Sequence, residues 1–211
     1  MRDALRAVAE ELLLAHTNPW ELDEAMVSFG FGPGVCEAQD DEGLIACQMR
    51  RDSFPPLKDQ RPVSLLDRMV SEGRQGRAAS VGWYRYPGGG GLVIDPLVED
   101  LLCEEARFAG IERVDLNPQD IIGCLIRGLV NVLACRAPVD DPETARRLNS
   151  ASLSAIGYPG ATGGLFATAD QTGVASVCDA LKRADDQNNT IWQPAPALVT
   201  MAARGVRFMP G

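Results

Sequence analysis

Gly73-Arg-Gln-Gly-Arg-Ala-Ala-Ser-Val-Gly-Trp-Tyr-Arg-Tyr-Pro-Gly-Gly-Gly-Gly91 lies near the middle of a 211-residue chain that is otherwise patterned as helix. Gly73, Gly76 and Gly82 break any continuous helix there, and Gly88–Gly91 close the stretch with unrestrained backbone. Between them, Gly82-Trp83-Tyr84-Arg85-Tyr86 is aromatic and extended in character. Because helical patterns flank it on both sides, the stretch reads as a tie between two helical halves.

Upstream, Ala4, Leu5, Val8, Ala9, Leu12 and Leu13 recur as doublets every four residues, the stripe of a helix packed on a core. Asn18-Pro19-Trp20-Glu21 supplies an N-cap, a proline at the first helical position and an early acid, and so starts a second helix that runs to about Phe29. A third covers 35–51 with Gly43 interrupting it, and Phe54-Pro55-Pro56 stops it. A short amphipathic helix is expected over 62–72. Downstream, Asp95-Pro96, Asn117-Pro118 and Asp141-Pro142 each open a helix. The second of these carries Ile121, Ile122, Leu125, Ile126, Leu129, Val130, Leu133 and Ala134 in the same doublet pattern. A helix around Gly173 covers 165–181, 185–189 is a polar loop, and a last helix covers 197–204. Only 83–86 shows strand character, so the expected class is all-α.

The halves echo each other. Gly34, Asp40 and Gly43 keep the same spacing as Gly164, Asp170 and Gly173, and each set follows a helix that ends in a glycine-aromatic-proline break. The expected organisation is a first repeat over 1–72, a linker over 73–94 and a second repeat over 95–211, two related units around a pseudo-two-fold. Two copies of one unit bury the face that would otherwise drive a dimer. The expectation is a monomer through an internal pseudo-dimer, or a weak homodimer.

These blocks resemble the C-terminal region of the 3-hydroxyacyl-CoA dehydrogenase family, in the duplicated form of multifunctional fatty-acid oxidation proteins. Phe29-Gly30-Phe31-Gly32-Pro33-Gly34 with Asp40-x-x-Gly43-Leu44 is similar to one family motif. Gly73-Arg74-x-Gly76 with Gly82–Tyr86 is similar to a second, and Val130-Asn131 with Gly157-Tyr158-Pro159, Gly163-Gly164 and Asp170-x-x-Gly173 to the second copy. Trp192–Pro196 is similar to the family's end. The resemblance implies a fold similar to the C-terminal domain of 6-phosphogluconate dehydrogenase. It also implies a role in closing over an acyl-CoA and in dimerisation. Phe31, Pro33, Gly34, Asp40, Asn131, Tyr158 and Asp170 are the substrate-cleft candidates it supplies.

The departures matter as much. In the family an NAD-binding Rossmann domain carries the catalytic His and its Glu partner, and no such block stands in these 211 residues. NAD would enter only through a Rossmann-type partner subunit, so neither a catalytic nor a cofactor-binding residue is assigned. An acyl-CoA is the small ligand implied. Four polar family positions are occupied by Ala78, Ile45, Val132 and Thr162, and the family's substrate-contacting Asn aligns just before Met1. The single His16 falls between the first two helices and reads as a surface or capping residue.

Other chemistry is poorly supported. Gly30–Gly34 lacks a preceding strand and Gly-x-Gly-x-x-Gly spacing, and Pro33 lacks an N–H for a phosphate. Gly88–Gly91 is a flexible loop without the Lys-Ser/Thr of a P-loop. Asp40-Asp41-Glu42 and Asp140-Asp141 have no His at metal-ligand spacing. Asp141 reads as a cap and the acidic trio as a solvated helical turn, whereas Asp40 and Asp170, at matched places, read as acids that orient backbone. Arg50-Arg51, Arg74 with Arg77, and Arg146-Arg147 read as solvated ion-pair sites, and Trp83, Tyr84 and Tyr86 as packing residues. A net charge of −9 argues against a nucleic-acid surface. No apolar run looks long enough to span a bilayer. The start at Met1 resembles neither a signal nor a transit peptide. Six cysteines without Cys-x-x-Cys spacing read as buried reduced thiols of a cytoplasmic protein.

Overall fold

A computed structural model describes residues 1–58, 65–184, 189 and 191–209. Their regular structure is helical: α1 (Arg2–Ala15), α2 (Pro19–Phe29), α3 (Val35–Glu42), α4 (Leu44–Asp52), α5 (Leu65–Ser71), α6 (Pro96–Phe108), α7 (Pro118–Arg136), α8 (Pro142–Ala155), α9 (Leu165–Thr172), α10 (Val174–Arg183) and α11 (Pro196–Arg204). The expected all-α class is observed. The helix expected over 62–72 is described from Leu65 onward, and its first residues lie outside the described part, as do 185–188 of the polar loop.

The starts follow local chemistry. Asn18 accepts the Glu21 N–H at 3.0 Å, Asp95 the Leu97 N–H at 3.3 Å and Asp141 the Thr144 N–H at 2.9 Å, each with Pro at the first helical position. The two long central patterns each split at a glycine. Gly43 sits at φ 92°, ψ 128° between α3 and α4, and Gly173 at φ 88°, ψ 130° between α9 and α10. A side chain at either place would be strained, and each glycine lets the chain turn between two short helices.

The described residues divide into two compact units. One, central in sequence, holds 9–55 and 65–122; the other, terminal, holds 1–8, 56–58 and the described residues from 123 onward. The boundaries fall inside α1 and inside α7. In the central unit Leu12, Leu13, Leu22, Met26, Leu44, Leu65, Met69, Val98 and Leu102 are buried. In the terminal unit Val130, Leu165, Phe166, Val177, Leu181, Leu198 and Phe208 are. Each such side chain contributes roughly 1.5–3 kcal/mol by leaving water.

Three readings are corrected. Helix α7, at 19 residues, is long and apolar enough to cross a membrane by length and composition. Ile121, Leu125, Leu129, Val130 and Val132 are nevertheless at most 1% exposed, the pattern of a core helix. Of the cysteines, Cys36, Cys47 and Cys178 are buried, but Cys103 is exposed, because α6 turns Val98, Leu101, Leu102 and Ala106 inward and leaves Cys103 outside. The glycines after Tyr86 open with a short 3-10 turn, Pro87–Gly89, in which Gly88 has φ 63°.

Candidate functional site

Residues 75–94 form a miniature antiparallel meander. Gly76 pairs with Val81, Val81 with Arg85, and Arg85 with Val93. Arg85 and Val93 exchange both backbone bonds, at 2.9 and 2.8 Å. On the first segment of the meander, the Gln75 carbonyl accepts the Leu44 N–H at 3.0 Å and so joins the start of α4.

Asp40 holds the aromatic turn of this meander. Its side chain leaves α3, and its two oxygens accept the Trp83 N–H, the Tyr84 N–H and the Tyr86 O–H, all at 2.9 Å. The turn fits only because Gly82 has no side chain: a Cβ there would collide with the Asp40 carboxylate. Burial raises the Asp40 pKa to about 6, and the three donors oppose the rise. Arg77 lies over the Tyr86 ring, 4.3 Å from its centroid, and pairs with Glu37 and Asp41.

A second buried acid supports the first. Asp23, inside α2, accepts the Cys36 N–H at 2.9 Å and the Glu37 N–H at 2.8 Å, and so satisfies the exposed donors that begin α3. The Tyr84 hydroxyl bonds both the Asp23 carboxylate and the Pro19 carbonyl at 2.9 Å. Tyr84 therefore links the two acids, through its backbone to Asp40 and through its ring to Asp23. Burial raises the Asp23 pKa to about 6 as well, and it raises the Tyr84 phenol.

The terminal unit carries a similar arrangement. Asp170 on α9 accepts the Phe208 N–H at 2.9 Å and the Met209 N–H at 2.8 Å. Phe208 is buried against Phe166, with ring centroids 4.6 Å apart. Here the start of α9 is satisfied by an amide: Asn149 Oδ1 accepts from Phe166 and Ala167, while its Nδ2 donates to the Gly163 carbonyl at 2.8 Å. Ser152 Oγ accepts the Leu165 N–H at 3.1 Å. Asn131, with no exposed surface, donates to the Ile191 and Gln193 carbonyls and accepts the Ala195 N–H, which fixes the approach to α11.

Of the seven sequence candidates, Phe31, Pro33, Gly34 and Asp40 lie in the central unit and Asn131, Tyr158 and Asp170 in the terminal one. Pro33 is exposed. Phe31 is 6% exposed, Gly34 abuts the Asp23 carboxylate, and Tyr158 is buried with its phenol pushed up to about 12. The reading of Asp40-Asp41-Glu42 as a solvated turn is corrected for Asp40, which is 1% exposed. Arg74 is also corrected: it is buried, bonds the Gly82 carbonyl and pairs with Asp95 at 2.6 Å, whereas Arg50, Arg51 and Arg77 form exposed or half-exposed ion pairs. His16 Nδ1 contacts the Val114 carbonyl at 2.9 Å. The sequence reading missed Asp23 and Asn149. Their signal was a polar residue on the apolar side of a helix, beside Leu22, Ala25 and Met26 in one case and Ala145 in the other. It also missed Glu10, buried on α1, whose pKa burial raises to about 8 against the pull of Arg51. Among the described residues no three His, Cys, Asp or Glu side chains are placed to hold a metal ion.

Residues 2–86 match the family 3-hydroxyacyl-CoA dehydrogenase, C-terminal domain. The chain is 30% identical over 195 residues to a peroxisomal fatty acid beta-oxidation multifunctional protein of Oryza sativa subsp. japonica, which covers 89% of this chain and 27% of the relative. It is 27% identical over 215 residues to a peroxisomal bifunctional enzyme of Danio rerio, covering 92% and 29%. It is 27% identical over 214 residues to the fatty acid oxidation complex subunit alpha of a Shewanella species, covering 95% and 28%. The chain thus spans under a third of the length of these curated relatives. In fold it is similar to the dehydrogenase part of multifunctional enzyme 1 from C. elegans, with a TM-score of 0.59 at 16% identity over 93% of this chain and 45% of that one.

Proposed function

We propose that this chain is the helical substrate and dimerisation region of a 3-hydroxyacyl-CoA dehydrogenase-type fatty-acid oxidation protein, and that it does not turn over substrate by itself. The observation that carries the reading is that 89% of this chain is similar to a part, 27%, of a multifunctional fatty-acid oxidation protein, with residues 2–86 matching the family's C-terminal domain. Oxidising a 3-hydroxyl requires a bound nicotinamide to take hydride and a positioned base to take the proton. The buried carboxyls here serve backbone donors instead: Asp23 and Asp40 each accept two N–H groups and a phenol. A Rossmann-type subunit supplies NAD and the base in trans.

In this reading the repeats over 1–72 and 95–211, joined by 73–94, share a scaffold, supported by the parallel roles of Asp40 and Asp170. Phe31 and Pro33 meet an acyl-CoA, while Gly34, Asp40, Asn131, Tyr158 and Asp170 hold the backbone that shapes the cleft. The cytoplasm is the compartment, supported by six cysteines of which none is in a disulfide.

The test is NADH formation from NAD and a 3-hydroxyacyl-CoA, with the purified chain alone and mixed with a nucleotide-binding domain of this enzyme class. No turnover alone and turnover on mixing is the expected result. Turnover proportional to the chain alone overturns the reading. Titration of the chain with acyl-CoA, followed by Trp fluorescence, reports ligand binding without catalysis.

A further inference from the structure

Tyr84 has more acceptors than hydrogens. Its hydroxyl oxygen lies 2.9 Å from Asp23 Oδ2 and 2.9 Å from the Pro19 carbonyl oxygen. Each contact is of hydrogen-bond length and needs a hydrogen between its two oxygens. A tyrosine hydroxyl carries one hydrogen, and a carboxylate and a carbonyl carry none. The second hydrogen fits in one place, on Asp23 Oδ2. Asp23 then donates to Tyr84, and Tyr84 donates to Pro19. A protonated carboxyl oxygen keeps acceptor capacity. Oδ2 therefore still takes the Glu37 N–H at 2.8 Å while Oδ1 takes the Cys36 N–H at 2.9 Å.

Asp40 differs at this point. Its Oδ2 lies 2.9 Å from the Tyr86 hydroxyl, and among the described residues that hydroxyl has no second acceptor. One hydrogen suffices, and the ionised acid fits its three donors.

We propose that Asp23, Tyr84 and Pro19 form a proton-operated latch: with a proton on Asp23, the Tyr84 hydroxyl ties the aromatic turn of the meander to the first turn of α2, and without it the hydroxyl turns to the carboxylate and lets Pro19 go. The proton passes to solvent. The carboxyl is not free to move and take up the change, because Gly34 closes against it and a Cβ there would already collide with it. The Tyr84 N–H stays on Asp40 in both states, so only the phenol end is released.

The surroundings of Asp23 set when the latch works. Asp23 is 7% exposed, and among the described residues no cation pairs with it. On α3 the buried Cys36 thiol lies against it, and Glu37, itself paired with Arg77, adds a like charge. Asp40 on α3 and Glu10 on α1 act on Cys36. From the meander come Tyr84 and, beyond it, Tyr86. On α2 itself Glu21 is held by Thr17, and Glu24 is exposed. Burial raises the Asp23 pKa to about 6 against the pull of the Cys36 and Glu37 amides. The acid is therefore neutral and the latch closed below about pH 6, and the latch opens as pH rises through that value. The inference goes beyond the proposed function and does not depend on it.

The test is an NMR titration of the full chain, labelled with 13C at tyrosine Cζ and aspartate Cγ, on both sides of this midpoint. The Asp23 and Tyr84 resonances should move together, with one midpoint near 6. In Asp23→Asn, whose NH2 donates to Tyr84 at every pH, the Tyr84 resonance should stay at its low-pH position. Removing the hydroxyl gives a sharper reading. In Tyr84→Phe the protonated state loses two neutral bonds, and the ionised state loses one charge-assisted bond of about twice the strength. The two losses offset, so the Asp23 midpoint should stay where it is. Tyr86→Phe removes a plain donor and should raise the Asp40 midpoint by about one pH unit. A Tyr84 resonance that ignores the Asp23 titration overturns the proposal, as does one that titrates unchanged in Asp23→Asn. So does an Asp23 midpoint that rises in Tyr84→Phe as far as that of Asp40 rises in Tyr86→Phe, since Tyr84 would then be a plain donor to a carboxylate.

Discussion

Two units of one chain solve the same local problem with different chemistry. In the central unit an acid, Asp23, caps the start of α3, and a second acid, Asp40, holds a downstream turn with three donors. In the terminal unit an amide, Asn149, caps the start of α9, and one acid, Asp170, holds the chain after α11 with two donors. An amide can cap because one oxygen takes both N–H groups and its own NH2 finds a carbonyl. An acid needs donors at both oxygens and carries the cost of burying its charge. The central unit therefore has the richer polar core and the stronger dependence on pH. Glu10, Asp23 and Asp40, all in that unit, are the carboxyls pushed up by burial.

The largest difference should come from removing the two holding acids. Asp40→Ala leaves two backbone N–H groups and the Tyr86 hydroxyl buried without acceptors, at a cost of about 3–4 kcal/mol at pH 7. Asp170→Ala frees two N–H groups at a more open position, 9% against 1% exposed, and should cost about 2 kcal/mol. Urea unfolding of both variants measures this, with Trp20 and Trp83 reporting on one unit and Trp192 on the other. Equal losses would mean that the third donor and the deeper burial of Asp40 count for nothing.

Exchanging the caps is the next test. Asn149→Asp sets a carboxylate oxygen against the Gly163 carbonyl that now accepts from Nδ2, and should cost about 2 kcal/mol at pH 7. Asp23→Asn should cost less than half of that. The new amide oxygen can take both N–H groups, and Tyr84 can accept from the new NH2 while still donating to the Pro19 carbonyl. If both exchanges are equally damaging, the caps are not the equivalent pieces their geometry suggests.

How much of this was legible in the sequence depends on range. The caps at Asn18, Asp95 and Asp141 act within three residues of themselves, so residue type and the adjoining proline specify them. Gly43 and Gly173 were visible as interruptions for the same reason. Asp40 and Asp170 could be paired by spacing and read as backbone-orienting, but their partners lie 43 and 38 residues away, and no local rule names them. Asp23 and Asn149 act across 13–18 residues, and Arg74 looked like one of several surface arginines until the fold closed over it.

The pH response separates the units further. A carboxyl whose pKa is higher in the folded chain than in the unfolded one keeps its proton longer when folded. Between the two values the native state binds more protons, so stability falls as pH rises. For Asp23 and Asp40 that window runs from the ordinary value of 3.8 to about 6, and for Glu10 from 4.5 to about 8. Above pH 6 the remaining slope belongs to Glu10, at most about 1.4 kcal/mol per pH unit. Glu10→Gln should flatten the unfolding free energy between pH 6 and 8 and leave the fall between pH 4 and 6 in place. An unchanged slope above pH 6 would place the titrating group elsewhere.

The smallest effect isolates the one bond by which the two holding acids differ most simply. Tyr86→Phe removes only the hydroxyl that Asp40 accepts and keeps the ring beneath Arg77. The cost should be about 1 kcal/mol, that of one hydrogen bond whose acceptor keeps its other donors. The variant should also raise the Asp40 pKa above about 6, because the phenol is one of the groups holding it down. The fall in stability with pH then extends to higher pH than in the parent chain. If Tyr86→Phe costs nothing and leaves the pH profile unmoved, Asp40 works as a two-donor clamp like Asp170, and the difference between the units rests on Asp23 and Glu10 alone.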